Sequence, residues 1–140
     1  MENFNPNDIG MANGNFFGLP YSIDESEIVL VSVPWDATVS YCDGTAKGPQ
    51  SIMDASLQVD LFDEAIPNAW CTKIGTHPID SDIEQLNVTS RENAVKVIEA
   101  LEVGQQPAKE HLDMVNKGSE RVNEYVENLC GSYIEKGCLS

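Results

Sequence analysis

Apolar residues run almost without interruption from Ile28 to Val33: Ile28-Val29-Leu30-Val31-Ser32-Val33, rich in β-branched side chains. Such a run predicts a strand at about 27–33, buried on both faces as in a parallel sheet. Pro34 ends it, having no N–H for a ladder. A polar loop, Trp35 to Lys47, follows. Gly48-Pro49 then opens a helix, because a first-turn proline lacks only an N–H that would have no intrahelical partner. The spacing puts Ile52, Ala55 or Ser56, and Val59 on one face of it. In open α/β sheets ligands gather where strands end and loops lead into helices. That places Trp35–Lys47 at the rim of any active site.

Further along, Val59-Asp60-Leu61-Phe62 reads as a short edge strand or as the ragged end of that helix. Cys71 to Thr76 predicts a second, shorter strand, broken at His77-Pro78. Thr89-x-x-Glu92 fits a capping box, in which hydroxyl and carboxylate reciprocally satisfy exposed N–H groups. A helix is expected to follow, with Ala94, Ile98 and Leu101 on one face and Gly104 closing it in the left-handed conformation. The strongest pattern comes last. Leu112, Val115, Ser119, Val122, Val126, Leu129 and Tyr133 alternate spacings of three and four, one continuous stripe on a helix from 107 or 108 to 136. Gly137 is its expected C-cap. Packing on a sheet or on the preceding helix accounts for the stripe better than a coiled coil of about three heptads. Residues 1–26, rich in Asn, Gly and Pro, read as an irregular arm anchored by Phe16, Phe17 and Leu19.

Composition narrows the partners. The 140 residues carry a formal net charge of −15, with 8 Lys+Arg against 23 Asp+Glu. Nucleic acid and anionic membranes are poor partners for such a chain; a cationic small molecule would be attracted, but a solvated acidic surface accounts for the charge better. Four cysteines, Cys42, Cys71, Cys130 and Cys138, form no C-x-x-C, and no histidines sit at zinc-finger spacing. Free thiols in a reducing cytoplasm are the expectation. The first twenty residues do not resemble a secretory signal, so the Asn87-Val88-Thr89 sequon carries no meaning.

The chemistry-bearing residues are sparse. Asp60, Asp63 and Glu64 read as a solvated turn, because no histidine accompanies them. His77 reads as a loop histidine in preference to a metal ligand or proton carrier, and His111 as a surface residue. In the loop, Trp35 offers a face for a flat cation. Asp36, Ser40 and Tyr41 either border a pocket or hydrogen-bond within the loop.

Val33-Pro34-Trp35-Asp36, Ser40-Tyr41, Gly44, Gly48-Pro49, Ile52 and Ala55-Ser56, in that order after a buried strand, resemble the N-terminal signature of the agmatinase/arginase (ureohydrolase) family. Cys42, Ala46 and Met53 stand where many agmatinases have arginines, which leaves the guanidino or formimino substrate open. The resemblance implies an α/β fold: the N-terminal part of a three-layer α/β/α parallel-sheet, arginase-like domain, incomplete within these residues. Residues 1–140 would then be one segment of a single domain, with the arm at 1–26 and strand–loop–helix units over 27–140.

It also implies hydrolysis of a guanidino C–N bond by hydroxide activated at two Mn²⁺ ions. The family's ligands come from Asp and His motifs in later segments, which are absent here. No catalytic residue and no metal ligand is therefore assigned, and the chain alone is expected to be inactive. Trp35, Asp36, Ser40 and Tyr41 are expected at the rim of the substrate pocket. A small cationic guanidino substrate and a homo-oligomer, trimer or hexamer, are the implied partners. A non-catalytic assembly module built on the arm and the long helix is the alternative.

Overall fold

The computed structural model describes residues 4–140, so the first three residues of the arm lie outside it. The order is β1 (Ile28–Val31), α1 (Gly48–Ser56), β2 (Ile74–His77), α2 (Ser81–Glu102) and α3 (Lys109–Glu135), with two 3-10 turns before β1, one before α1 and one before β2. The fold is α/β with a small parallel sheet. The chain divides into two compact units: Met1–Ser32, Pro49–Pro78 and Cys130–Ser140 form one, and Val33–Gly48 with Ile79–Leu129 the other.

In the first unit β1 and β2 pair in parallel, from Ile28 opposite Ile74 to Val31 opposite His77. Both strands are shorter than the sequence suggests. Thr72 and Lys73 lie outside β2 because Asn68, with φ 61°, starts a 3-10 turn at Ala69–Cys71. Leu139 joins the other edge of β1: Val29 N–H donates to its carbonyl at 2.8 Å, and its own N–H donates to Glu27 at 2.9 Å. Val29 is thus bonded on one side and flanked by β2 on the other, and it is almost fully buried. Gly75 sits mid-strand because a Cβ there would fall on the hydroxyl of Ser26.

The arm has no ladder to satisfy its backbone, and its asparagines take over. Asn13 and Asn15 donate to the carbonyl of Leu19 at 3.0 and 2.8 Å, and Asn15 also to that of Tyr21 at 3.1 Å. Phe16 N–H donates to the Thr76 hydroxyl at 2.9 Å. Phe16, Leu19 and Tyr21 are buried, an apolar anchor tied to β2 by a hydrogen bond.

The apolar face expected of α1 does not pack. Ile52 is 61% exposed and Val59 52%, whereas Ser56 is buried. That helix docks through a hydroxyl: Ser56 accepts from Phe17 N–H at 2.8 Å and donates to the Met53 carbonyl at 2.7 Å. Val59–Phe62 is neither strand nor helix. Asp60 accepts from Phe62 N–H at 2.9 Å, and Asp63 from Ala65 and Ile66 at 2.8 and 3.1 Å, so these carboxylates hold turns.

In the second unit α2 starts at Ser81, about two turns before the capping box read at Thr89. Asp80 is the actual cap, accepting from Asp82 N–H at 2.8 Å, and Asp82 and Glu84 in the first turn suit the helix dipole. Thr89 lies inside the helix and donates back to the Gln85 carbonyl. Gly104 closes α2 at φ 70°, with Gln105 N–H bonded to Ala100 and Gly104 N–H to Leu101, a Schellman ending.

Helix α3 returns antiparallel to α2, since Ser90 faces Gly118 while Asn93 bonds His111. Gly118 is buried, and a Cβ there would fall on the Ser90 hydroxyl. A residue that weakens an isolated helix by up to about 1 kcal/mol here allows two helices to approach. His111 is not a free surface residue: its Nδ1 lies 2.8 Å from the Asn93 side-chain oxygen. No helix among the described residues is long and apolar enough to cross a membrane.

Candidate functional site

The loop between β1 and α1 is built around one carboxylate. Asp36 is 7% exposed. Its N–H donates to the side-chain oxygen of Asn87 at 2.8 Å, and the Asn87 amide donates back to Asp36 Oδ1 at 2.9 Å. The other oxygen, Oδ2, receives the N–H groups of Gly44 at 2.7 Å and Ala46 at 3.1 Å. Gly44 adopts φ 118°, a conformation that L side chains rarely take. The hydrogen bond from Asn87 does most to hold the Asp36 carboxyl below the usual carboxylate range. Burial opposes it, while the two backbone N–H groups and the charge of Arg91 reinforce it.

Arg91, one turn after Asn87, grips the outer part of the loop. Its Nη1 donates to the carbonyls of Ala37, at 3.4 Å, and Val39, and its Nε lies 3.8 Å from Asp43 Oδ2. Carbonyls at the loop's bend and a carboxylate at its tip thus converge on one guanidinium. Such a planar fork can serve several acceptors at once.

The four rim residues separate into two pairs. Asp36 turns inward, and Trp35 is half-buried, with the far edge of its ring against α3 beside Gly118. Ser40 and Tyr41 face solvent, Tyr41 at 96% exposure. In the sequence Asn87 stands out only as part of a sequon, and Arg91 not at all. A signal existed: Ile83, Asn87, Ser90 and Ala94 are the buried positions of α2 at helical spacing, and a polar amide on such a stripe needs a buried partner.

His77 ends β2, with its Nδ1 2.8 Å from the hydroxyl of Tyr133, whose own pKa burial pushes up. Two cavities of about 450 and 500 Å³ lie in the first unit, one lined by arm residues such as Phe4, Ile9 and Phe17 with Leu57, the other by Asp60, Phe62 and Trp70 among others. Neither is lined by Trp35, Asp36, Ser40 or Tyr41. Among the described residues no three His, Cys, Asp or Glu side chains converge to hold a metal ion.

The sequence profile of the Arginase family matches residues 26–108, which span β1, the loop, α1, β2 and α2. The N(1)-aminopropylagmatine ureohydrolase of Synechocystis sp. is 32% identical over 56 residues, 40% of this chain and 18% of that protein. The match thus spans less than a fifth of that curated relative's length. No solved structure matches. With more than half of its residues under the family profile, the chain belongs to the arginase family.

Proposed function

We propose that these residues form the N-terminal part of a ureohydrolase that cleaves the guanidino C–N bond of a cationic alkylguanidine. The observation that carries this reading is the family match over 26–108, which contains the whole Asp36-centred loop. The relative's name, an aminopropylagmatine ureohydrolase, points to guanidino amines as the first substrates to try. A chain of net charge −15 suits a substrate of the opposite sign.

In this reaction the oxygen of water adds to the guanidinium carbon, the bond to the alkylated nitrogen breaks, and urea and an amine leave. Arginase-family proteins generally bind a dinuclear metal centre. Two Mn²⁺ ions are proposed for the whole enzyme, where they would lower the pKa of a water. The described residues contain no ligand set that fits such a centre. No step of the chemistry is therefore assigned to them. Their part is to shape the pocket rim, with Tyr41 and Ser40 presented outward from a loop fixed at Asp36 and Trp35. In the same reading the parallel pair belongs to a three-layer α/β/α sheet, and the enzyme is a cytoplasmic homo-oligomer, trimer or hexamer.

The test is a substrate panel. The product of the complete reading frame, supplied with Mn²⁺, is incubated with agmatine, N(1)-aminopropylagmatine, arginine and a formimino amino acid. Urea with the matching amine from one of the first three supports the proposal. Formamide from the last compound alone redirects it to formimino hydrolysis, and no product from any overturns it.

A further inference from the structure

We infer that Asn87 and Arg91 of α2 are positioning residues for the substrate loop, fixing the backbone from which Ser40 and Tyr41 project. The inference rests on the reading above for the loop's use, and on geometry alone for the clamp. The two side chains stand one helical turn apart, so they leave α2 on one face. Asn87 holds the loop's base through a two-point pairing with Asp36 at 2.8 and 2.9 Å. Arg91 holds its outer part through the carbonyls of Ala37 and Val39 and the carboxylate of Asp43. Ser40 and Tyr41, both exposed, lie between Val39 and Asp43, the two outermost groups that Arg91 holds. A loop tied at both ends by a rigid helix has little freedom left to lose when it meets a ligand, which favours affinity. Exposed residues on an untied loop would have to be ordered at each encounter.

Both residues also lie within the segment matched by the family profile, and each bonds groups of the loop itself. Their contribution should therefore fall on substrate binding. Loss of Asn87 frees Asp36 N–H and removes one donor from its carboxylate, while loss of Arg91 frees Val39 and the tip. Either change loosens the loop and leaves the rest of α2 helical.

The experiment uses Asn87→Ala, Arg91→Gln and the conservative Arg91→Lys in the product of the complete reading frame. Amide hydrogen exchange over 37–46 reads the clamp, and steady-state kinetics with the best substrate of the panel read its use. Asn87→Ala and Arg91→Gln should speed exchange at Gly44 and Ala46 by about tenfold, the loss of one net hydrogen bond, with exchange in β1 and the middle of α3 unchanged. KM should rise by about tenfold while kcat changes by less than about twofold. Arg91→Lys, keeping the charge without the fork, should fall between wild type and Arg91→Gln.

Unaltered exchange over 37–46 would overturn the clamp. Faster exchange with unchanged KM, or a uniform loss across the whole protein, would show Asn87 and Arg91 to be ordinary structural residues. If the unaltered protein hydrolyses no guanidino compound, the proposed function fails and the loop's use in catalysis fails with it. The exchange pattern still decides separately whether Asn87 and Arg91 hold the loop.

Discussion

Asp36 and Asn87 exchange two hydrogen bonds, backbone N–H to amide oxygen at 2.8 Å and amide nitrogen to carboxylate at 2.9 Å, although 51 residues separate them. The second carboxylate oxygen of Asp36 gathers Gly44 and Ala46. A single side chain therefore joins the loop's two arms to a helix. Asp36→Ala would strand the Asn87 amide and two backbone N–H groups in or near the interior. Each buried polar group left unsatisfied costs about 1–3 kcal/mol, so a loss of roughly 3 kcal/mol is expected. Denaturant unfolding checks this, with a midpoint close to wild type as the contrary result.

The same carboxylate makes stability depend on acid. Its pKa is lower in the folded protein than in the unfolded chain. The stabilisation it contributes is therefore complete above the unfolded value of about 3.9. It is lost as the pH falls from there through the folded value, because the unfolded chain takes up the proton first. Asp36→Asn should flatten this part of the pH–stability curve below about pH 4. Identical acid limbs for variant and wild type would contradict the assignment.

Gly118 offers a test of the helix crossing. Alanine there gains helix propensity, up to about 1 kcal/mol, but its Cβ would meet the Ser90 hydroxyl and come within 3.3 Å of the Trp35 ring. Overpacking of that kind costs typically about 1–3 kcal/mol. Gly118→Ala should therefore lower Tm, and Ser90→Gly in the same chain should recover part of the loss. A rise in Tm for the single variant would show that the helices have room to spare.

Trp35 and Tyr41 should behave differently despite lying in one loop. Trp35 is half-buried against α3, so Trp35→Ala is expected to lower Tm as well as to alter substrate use. Tyr41, at 96% exposure, has no packing to lose. Tyr41→Ala should leave Tm within about 1 °C and, if the loop borders the proposed pocket, raise KM for the proposed guanidino substrate. Thermal melts beside kinetics per folded molecule separate the two effects. A large stability loss on removing Tyr41 would be the contrary finding.

Much of this layout is legible in the sequence. The β-branched run at Ile28–Val31, the proline-opened helix at Gly48, the stripe of α3, and the closing glycines Gly104 and Gly137 all follow local rules, and each forms. The start of α2 was misplaced because Thr89 with Glu92 imitates a capping box inside the helix, whereas Asp80 is the cap. Only the longer helix places Ile83, Asn87, Ser90 and Ala94 on one buried face. The face expected of α1 holds at Ser56, which docks through a hydrogen bond, while its apolar members Ile52 and Val59 stay exposed. In the candidate site the residue types were legible and their partners were not. Asp36 finds Asn87, and Ala37 finds Arg91, across more than 50 residues, and no local pattern encodes such pairings.

In the proposed function, water is the nucleophile that breaks a guanidino C–N bond. Reaction of the complete reading frame's product, with Mn²⁺, in heavy-oxygen water tests it most directly through mass analysis of the released urea. One heavy oxygen atom is expected in each urea molecule and none in the amine. Urea without the label, or no urea from any guanidino amine, would contradict it.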